Sequence, residues 1–287
     1  MPRLAYVNGR YLPHAEARVP VEDRGYQFAD GVYEVVAIVD GRFADFEGHM
    51  ARLGRSLGAL RIDWPMSRPA LELVIRELIR RNGVKTGLLY LQISRGVAPR
   101  EFKFPDPRVR PSLVLTTRTL GRFATPAQLE AGVGVITIPD IRWLRRDIKS
   151  VALLPQVLGK QQAVEAGCFE AWMVDGEGRV TEGCSSNAWI VTAAGTLVTR
   201  HADNLILNGV TRLSLLRLAE RFGVATEVRP FTVAEAAAAR EAFVSSATTF
   251  ALPVTRIDGR PVGDGRPGAL TLRLRAAYLD AVAGERS

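Results

Sequence analysis

Lysine is scarce in this chain: of 38 basic side chains only Lys85, Lys103, Lys149 and Lys160 are lysines. Lys149 has the setting of a reactive amine. It lies in IRWLRRDIKSVALL, between apolar residues and just after Arg142, Arg145 and Arg146. Apolar shelter and nearby cations both disfavour an ammonium. That is what Schiff-base chemistry needs, because the neutral amine attacks the carbonyl carbon. A solvated surface lysine is the competing reading, and this context leaves the two open. A second candidate is LILNGVTRLSLLRLAERFG, where Asn208-Gly209 precedes an amphipathic helical pattern. The amides of Val210 and Thr211 and the Thr211 hydroxyl would face the open N-terminus of that helix, which attracts anions. A plain helix start with nothing bound accounts for the same residues. A third is VTEGCSSNAWIV, where Glu182 closes one strand pattern and small polar residues lead into the next. Its carboxylate suits a functional partner or an ordinary turn.

Other chemistries find no support. The chain has no GxGxxG, no GxxxxGK and no GxSxG, the signatures of dinucleotide binding, P-loops and the nucleophile elbow. Cys168 and Cys184 are too few for a disulfide framework, and three scattered histidines predict no metal site. The net charge of +8 and the pI near 10.0 raise the question of nucleic acid. The arginines are nevertheless spread along the chain without a run of like charge, which reads as general arginine richness. No apolar stretch approaches the length of a membrane span, and MPRLAYVNGRYLP turns polar too early for a secretory signal. The expected location is cytoplasmic, with no nucleic-acid or membrane partner.

The elements that must position these residues follow from periodicity. Asn8-Gly9, Asp40-Gly41, Asp175-Gly176 and Asp258-Gly259 sit between apolar or alternating runs, a strong hairpin signal. Helices are predicted over 46–60, from Ser67 as cap with Pro69 in the first turn to Asn82-Gly83, and over 154–166, 210–222 and 268–283. A short helix is predicted in AEAAAAREA, 234–242. Strand patterns recur at 87–94, 112–117, 133–138, 169–174, 186–191 and 242–246. Strands outnumber helices and hairpins join many of them, which predicts an α+β fold with mixed or antiparallel sheets. The 287 residues suit two domains, with a boundary in TLGRFATPAQ, 119–128.

Four segments, in order and suitably spaced, resemble the fold-type IV pyridoxal-phosphate enzymes: EDRGYQFADGVYEVV (22–36), RWLRRDIKS (142–150), VTEGCSSN (180–187) and LNGVTR (207–212). RGYQFADGVYEVV and RWLRRDIKSVALL are most similar to the D-amino-acid aminotransferases of that family. The resemblance runs from about residue 3 to the last helix. It implies a smaller N-terminal domain, 1–120, and a larger cofactor-binding domain, 121–287, with pyridoxal 5'-phosphate in the crevice between them. It implies that Lys149 holds the cofactor covalently and shuttles a proton, and that Glu182 pairs with the pyridine nitrogen. Arg52, Val210, Thr211 and Thr248 would grip the phosphate and Leu207 would pack on the ring. Tyr33, Tyr90 and Arg100 would meet the substrate, Tyr90 and Arg100 from the partner subunit of a homodimer. The implied activity is ping-pong transfer of an amino group from a D-amino acid to a 2-oxo acid such as 2-oxoglutarate or pyruvate.

Two positions depart from the family pattern. In YLQISRGVAPREFKFP, Phe102 stands where the D-amino-acid enzymes have the histidine of an R-x-H motif. A phenylalanine donates no hydrogen bond, so the trap for the α-carboxylate loses about 1–3 kcal/mol. Arg100 pairing with Glu101 or Asp106 on the surface is the alternative use of that residue. In FVSSATTFALPV, Ala247 replaces a phosphate-binding threonine, with Thr248 or Ser246 as the substitute. An (R)-selective amine transaminase, an L-branched-chain aminotransferase and an aminodeoxychorismate lyase are the alternatives within the family. A non-catalytic basic binding protein is the alternative outside it.

Overall fold

A computed structural model describes residues 3–284 of the chain. They form two compact units. One comprises the residues up to Gly121 together with Ile148–Ala152; the other comprises Arg122–Asp147 and the residues from Leu153 onward. Lys149 thus belongs with the first unit, although a cut at residue 120 assigns it to the second domain.

The first unit runs β1 (Leu4–Val7), β2 (Arg10–Pro13), α1 (Arg24–Phe28), β3 (Gly31–Val39), β4 (Arg42–Phe43), α2 (Phe46–Leu60), α3 (Arg68–Asn82), β5 (Gly87–Ser94) and β6 (Ser112–Thr119). Its six strands form an antiparallel sheet in the order β2-β1-β6-β5-β3-β4. Leu53 and Leu57 of α2 and Leu71, Ile75 and Leu78 of α3 pack on Val32, Val36, Leu89, Leu91 and Leu115 of the sheet. The β1–β2 and β3–β4 hairpins turn on Asn8-Gly9 and Asp40-Gly41, all four residues at positive φ as that tight turn requires. The segment 148–152 is stitched to β3: Tyr33 N donates to Lys149 O (3.0 Å) and Val151 N to Gly31 O (3.1 Å).

The second unit runs α4 (Pro126–Ala131), β7 (Val133–Pro139), α5 (Leu154–Glu165), β8 (Glu170–Val174), β9 (Arg179–Gly183), β10 (Asn187–Val191), β11 (Leu197–Thr199), α6 (Val210–Arg221), β12 (Thr226–Val228), β13 (Phe231–Thr232), α7 (Val233–Ala237), β14 (Glu241–Ser246), β15 (Phe250–Ile257), β16 (Arg260–Pro261) and α8 (Ala269–Gly284). The sheet order is β12-β11-β10-β14-β15-β7-β8-β9-β13, with β16 on β15. The β11–β12, β15–β7 and β7–β8 pairs are parallel and the others antiparallel, so the sheet is mixed. The architecture is α+β, as expected.

Local expectations fail in three places. The alanine-rich stretch is helical only over Val233–Ala237, because Glu241 and Ala242 are drawn into β14; sheet pairing overrides helix propensity there. Ser67 sits at the N-cap of α3, but its hydroxyl makes no cap bond. Strand β15 is expected only as the flank of the Asp258-Gly259 hairpin and not as a run of its own; Pro253 at its centre lacks an N–H and weakens the strand signal.

Candidate active site

In the first unit, β3 alternates between core and outer face. Val32, Glu34, Val36 and Ile38 point inward, whereas Tyr33 and Val35 are only half-buried. A carboxylate on the core face needs a cation, and α2 supplies it. Arg52 donates to Glu34 through Nε (2.8 Å) and Nη2 (2.7 Å), and His49 Nδ1 lies 2.7 Å from Oε2. Burial alone would raise the Glu34 carboxyl, but Arg52 and His49 more than reverse this and hold it at about 2. Arg52 is therefore locked in place on the helix that also positions Ser56, whose hydroxyl accepts from Lys149 N (3.2 Å). On the outer face of the sheet the Lys149 ammonium lies 4.1 Å from the Tyr33 ring centroid. Tyr33 stacks on Tyr90 at 5.7 Å, and the Tyr90 hydroxyl donates to Gln92 Oε1 (2.7 Å). Burial pushes the Tyr90 phenol up to about 12, so it stays a neutral donor. Tyr33, Tyr90 and Lys149 thus come together in one cluster.

Arg100 lies apart from them, on an exposed loop. Its guanidinium rests over Phe28 (5.2 Å) and Phe102 (5.7 Å), and among the described residues it pairs with neither Glu101 nor Asp106. The RGYQFADG segment anchors this loop. Arg24 donates to Asp30 (2.9 Å) and to the carbonyl of Glu101 (2.5 Å), while Arg95 grips Asp30 from the other side (2.7 and 2.9 Å). Phe102 stays 77% exposed, so the side chain replacing the family histidine faces solvent in the single chain.

The second unit holds Glu182, Leu207, Val210 and Thr211. Glu182, near the end of β9, is buried and receives Arg142, Asn187 Nδ2 (3.0 Å) and Leu207 N (3.1 Å). Burial pushes its carboxyl upward, and Arg142 only partly offsets this. Arg142 and Arg146, which the sequence places before Lys149, are committed to carboxylates: Arg142 to Glu182 and Asp140, and Arg146 to Asp140.

Asn187 also donates to Leu207 O (2.9 Å). Its Oδ1 lies so close to Gly209 that a Cβ there would come within 2.0 Å of it. Glycine is required at 209 for this approach, although its backbone is ordinary. Gly209 is the N-cap of α6, and Leu213 N to Gly209 O (3.1 Å) is the first helical bond. The amides of Val210, Thr211 and Arg212 therefore lie outside the ladder. Thr211 Oγ1 is buried and has no partner among the described residues. One asparagine thus joins a caged carboxylate to an open helix end. Thr248 lies in the turn between β14 and β15, its hydroxyl 3.0 Å from Ser246 Oγ.

Glu34, His49, Asp140 and Asn187 escape the sequence reading. Glu34 leaves a trace in it, as a charge on the apolar face of GVYEVVAIV, with His49 and Arg52 one helical turn apart. Among the described residues there is no cluster that could hold a metal, and no helix is long and apolar enough to cross a membrane.

A model of the amino-transferase class IV family matches residues 31–257. The chain is 40% identical over 278 residues to a D-alanine aminotransferase of Bacillus licheniformis, covering 97% of this chain and 96% of the relative. It is 39% identical over 273 residues to a D-alanine aminotransferase of Staphylococcus aureus (strain MSSA476), covering 95% of each. Among solved structures, a T.th. branched-chain amino acid aminotransferase with pyridoxamine 5'-phosphate superposes with a TM-score of 0.90 at 27% identity, covering 100% of this chain and 96% of the other. The matched residues span both β3 and the helix end at Thr211, and the chain belongs to the amino-transferase class IV family.

Proposed function

We propose that the protein is a pyridoxal 5'-phosphate-dependent aminotransferase that moves the amino group of a D-amino acid to a 2-oxo acid. The observation that carries the reading is the linked pair in the second unit. The unpartnered Thr211 hydroxyl at an open helix end suits a phosphate, and the Glu182 carboxylate, tied to it through Asn187 and Gly209, suits a protonated ring nitrogen. The residues present therefore fit the cofactor. It supplies the carbonyl that condenses with an amine and the ring that draws electrons from the adjoining carbon.

In this reading Val210, Thr211 and Thr248 hold the phosphate, together with Arg52 oriented by Glu34. Leu207 flanks the ring while its amide steadies Glu182. Lys149 Nζ would anchor the cofactor, then take the proton from the donor's Cα and deliver it to C4′, the cofactor carbon that receives the amino group. Tyr33 steadies that ammonium through its ring face. Arg100 takes the substrate α-carboxylate from the partner subunit of a homodimer, while Tyr90 meets the substrate from its place on Tyr33. The full-length D-alanine aminotransferase relatives favour a D-amino donor.

A homodimer is supported by exposed apolar side chains of the second unit (Ile141, Trp143, Leu144, Leu154, Val157 and Leu158) and by the exposure of Phe102. The free thiols of Cys168 and Cys184 suit the reducing cytoplasm.

The test is the visible spectrum of the protein loaded with pyridoxal 5'-phosphate. The yellow band is expected to fade with D-alanine and to persist with L-alanine. Fading with L-alanine alone would refute the D-amino donor, and a colourless protein after loading would refute the cofactor.

A further inference from the structure

Behind Glu182 lies a second buried carboxylate that the proposed chemistry does not use. Asp140 follows β7 directly, and its side chain is 1% exposed. It accepts from Arg142 Nε (2.9 Å) and Nη2 (2.7 Å), from Thr181 Oγ1 (2.6 Å) and from Arg146 Nη1 (3.3 Å). The other terminal nitrogen of Arg142, Nη1, reaches Glu182. One planar guanidinium thus bridges two carboxylates, its Nε–Nη2 edge on Asp140, with Nη2 also donating to Thr181 Oγ1 (3.3 Å).

The sharing has an electrostatic consequence. The charged groups facing this cluster are Asp140, Arg142 and Arg146 from the segment after β7 and Glu182 from β9. Arg200, after β11, acts on Arg146, and Arg212 of α6 acts on Glu182. If Arg142 served Glu182 alone, its full positive charge would neutralise that carboxylate. With Asp140 on its opposite edge, Glu182 keeps net negative character and a stronger hold on a proton donor.

We propose that Asp140 is a positioning residue that, through Arg142, keeps Glu182 electron-rich and so sets the pH at which a ring nitrogen bound to Glu182 loses its proton. The inference rests on the assignment of Glu182 made above. The direction agrees with the forces on Glu182: burial raises its carboxyl, Arg142 lowers it, and Asp140 adds to the rise. A purely structural role would require only that Asp140 hold Arg142 in place, which an asparagine or glutamate could also do in part.

The test uses the holoenzyme loaded with pyridoxal 5'-phosphate labelled with nitrogen-15 in the ring. The ring-nitrogen chemical shift is followed from neutral to alkaline pH, with kcat and KM measured alongside. Asp140→Asn removes the charge and keeps the shape. It should move the titration toward lower pH by about one unit, a tenfold loss of proton affinity, and lower kcat with KM little changed. Asp140→Glu should restore most of the shift. Thr181→Val withdraws a donor from Asp140, leaves its unchanged negative charge less compensated, and should move the titration the opposite way. That variant keeps the test decisive if Asp140→Asn does not fold. Glu182→Gln, measured in parallel, separates the two assumptions. A titration that moves in Glu182→Gln but stays at the wild-type position in Asp140→Asn and Thr181→Val overturns the role of Asp140 alone. A titration unmoved in Glu182→Gln overturns the assignment of Glu182, and the proposal with it.

Discussion

Replacing Glu34 by glutamine tests whether the first unit prepares Arg52 through a buried ion pair. The carboxylate is fully buried and receives two charged hydrogen bonds from Arg52 and one contact from His49. Burial raises its carboxyl, but the Arg52 charge and the hydrogen bonds from Arg52 and His49 bring it from 4.5 down to about 2. A depression of that size corresponds to about 3 kcal/mol at neutral pH. Removing one member of a buried pair is expected to cost about 3–5 kcal/mol, because the other charge is left stranded. The two routes agree.

The sign of the pH dependence follows from the depressed carboxyl. The contribution is complete above the unfolded carboxyl's range and fades as the pH falls toward about 2. Between pH 7 and pH 3 the wild-type protein should lose about 2 kcal/mol from this group, a loss that Glu34→Gln cannot show. Urea denaturation of the cofactor-free protein at several pH values measures both quantities. The stability gap between the two proteins should be about 3 kcal/mol at pH 7 and about 1 kcal/mol at pH 3. A gap that stays constant across this range would refute the argument, because the loss would then come from packing and not from the Glu34 charge. Affinity for pyridoxal 5'-phosphate should also fall in Glu34→Gln, by about tenfold or more, as Arg52 loses its orientation.

Lys149→Ala should abolish transamination, to below about one-thousandth of the wild-type rate, with the thermal midpoint of the cofactor-free protein little changed. Steady-state assays and a melting curve check this, and wild-type-like turnover would remove Lys149 from the chemistry. Arg100→Ala should raise KM for carboxylated donors by about tenfold or more and leave simple amines nearly untouched, since only the former offer a carboxylate. An equal effect on both donor classes would take Arg100 out of the substrate site. Gly209→Ala drives a Cβ to within 2.0 Å of Asn187 Oδ1. It should weaken cofactor binding by more than about tenfold, because Asn187 must leave either Glu182 or the Leu207 carbonyl; equilibrium titration of the cofactor checks it.

Much of the fold is legible because local signals agree with tertiary pairing. The Asn8-Gly9, Asp40-Gly41 and Asp258-Gly259 turns, the amphipathic spacing of 46–60 and the Asn82-Gly83 stop each find the structure they favour. Agreement ends where long-range pairing overrides local preference, as at Glu241 in β14 and Pro253 in β15. The chemistry-bearing residues divide the same way. The Thr211 helix end can be read from a helical pattern preceded by Asn208-Gly209, because an open helix end is made by consecutive residues. Asp140 gives no such sign. Its partners Arg142 and Arg146 are near in sequence, but Thr181 and Glu182 reach it only because β8 pairs with both β7 and β9. Register decides that meeting, and a single sequence does not encode register in any one segment.

The basic composition has the same origin. A pI near 10.0 with few lysines could describe a surface made for polyanions. Among the described residues, however, Arg24, Arg52, Arg95, Arg142, Arg146, Arg200, Arg212 and Arg275 are buried. Arg24 and Arg95 meet at Asp30, Arg52 closes on Glu34, and Arg142 joins Asp140 to Glu182. Arg200 takes Asp175, while Arg212 and Arg275 donate to the carbonyls of Arg200, Thr249 and Ala251. Lysine could not replace them, because a point charge does not satisfy two oxygens on one edge and a third on another. Of the four lysines, Lys85 and Lys103 are exposed, Lys160 donates to Phe169 O beside the buried Glu170, and Lys149 lies over Tyr33. Planar forks thus hold the carboxylates Asp30, Glu34, Asp140 and Glu182, and the lysine beside Tyr33 is the amine to which the proposed function gives the chemistry.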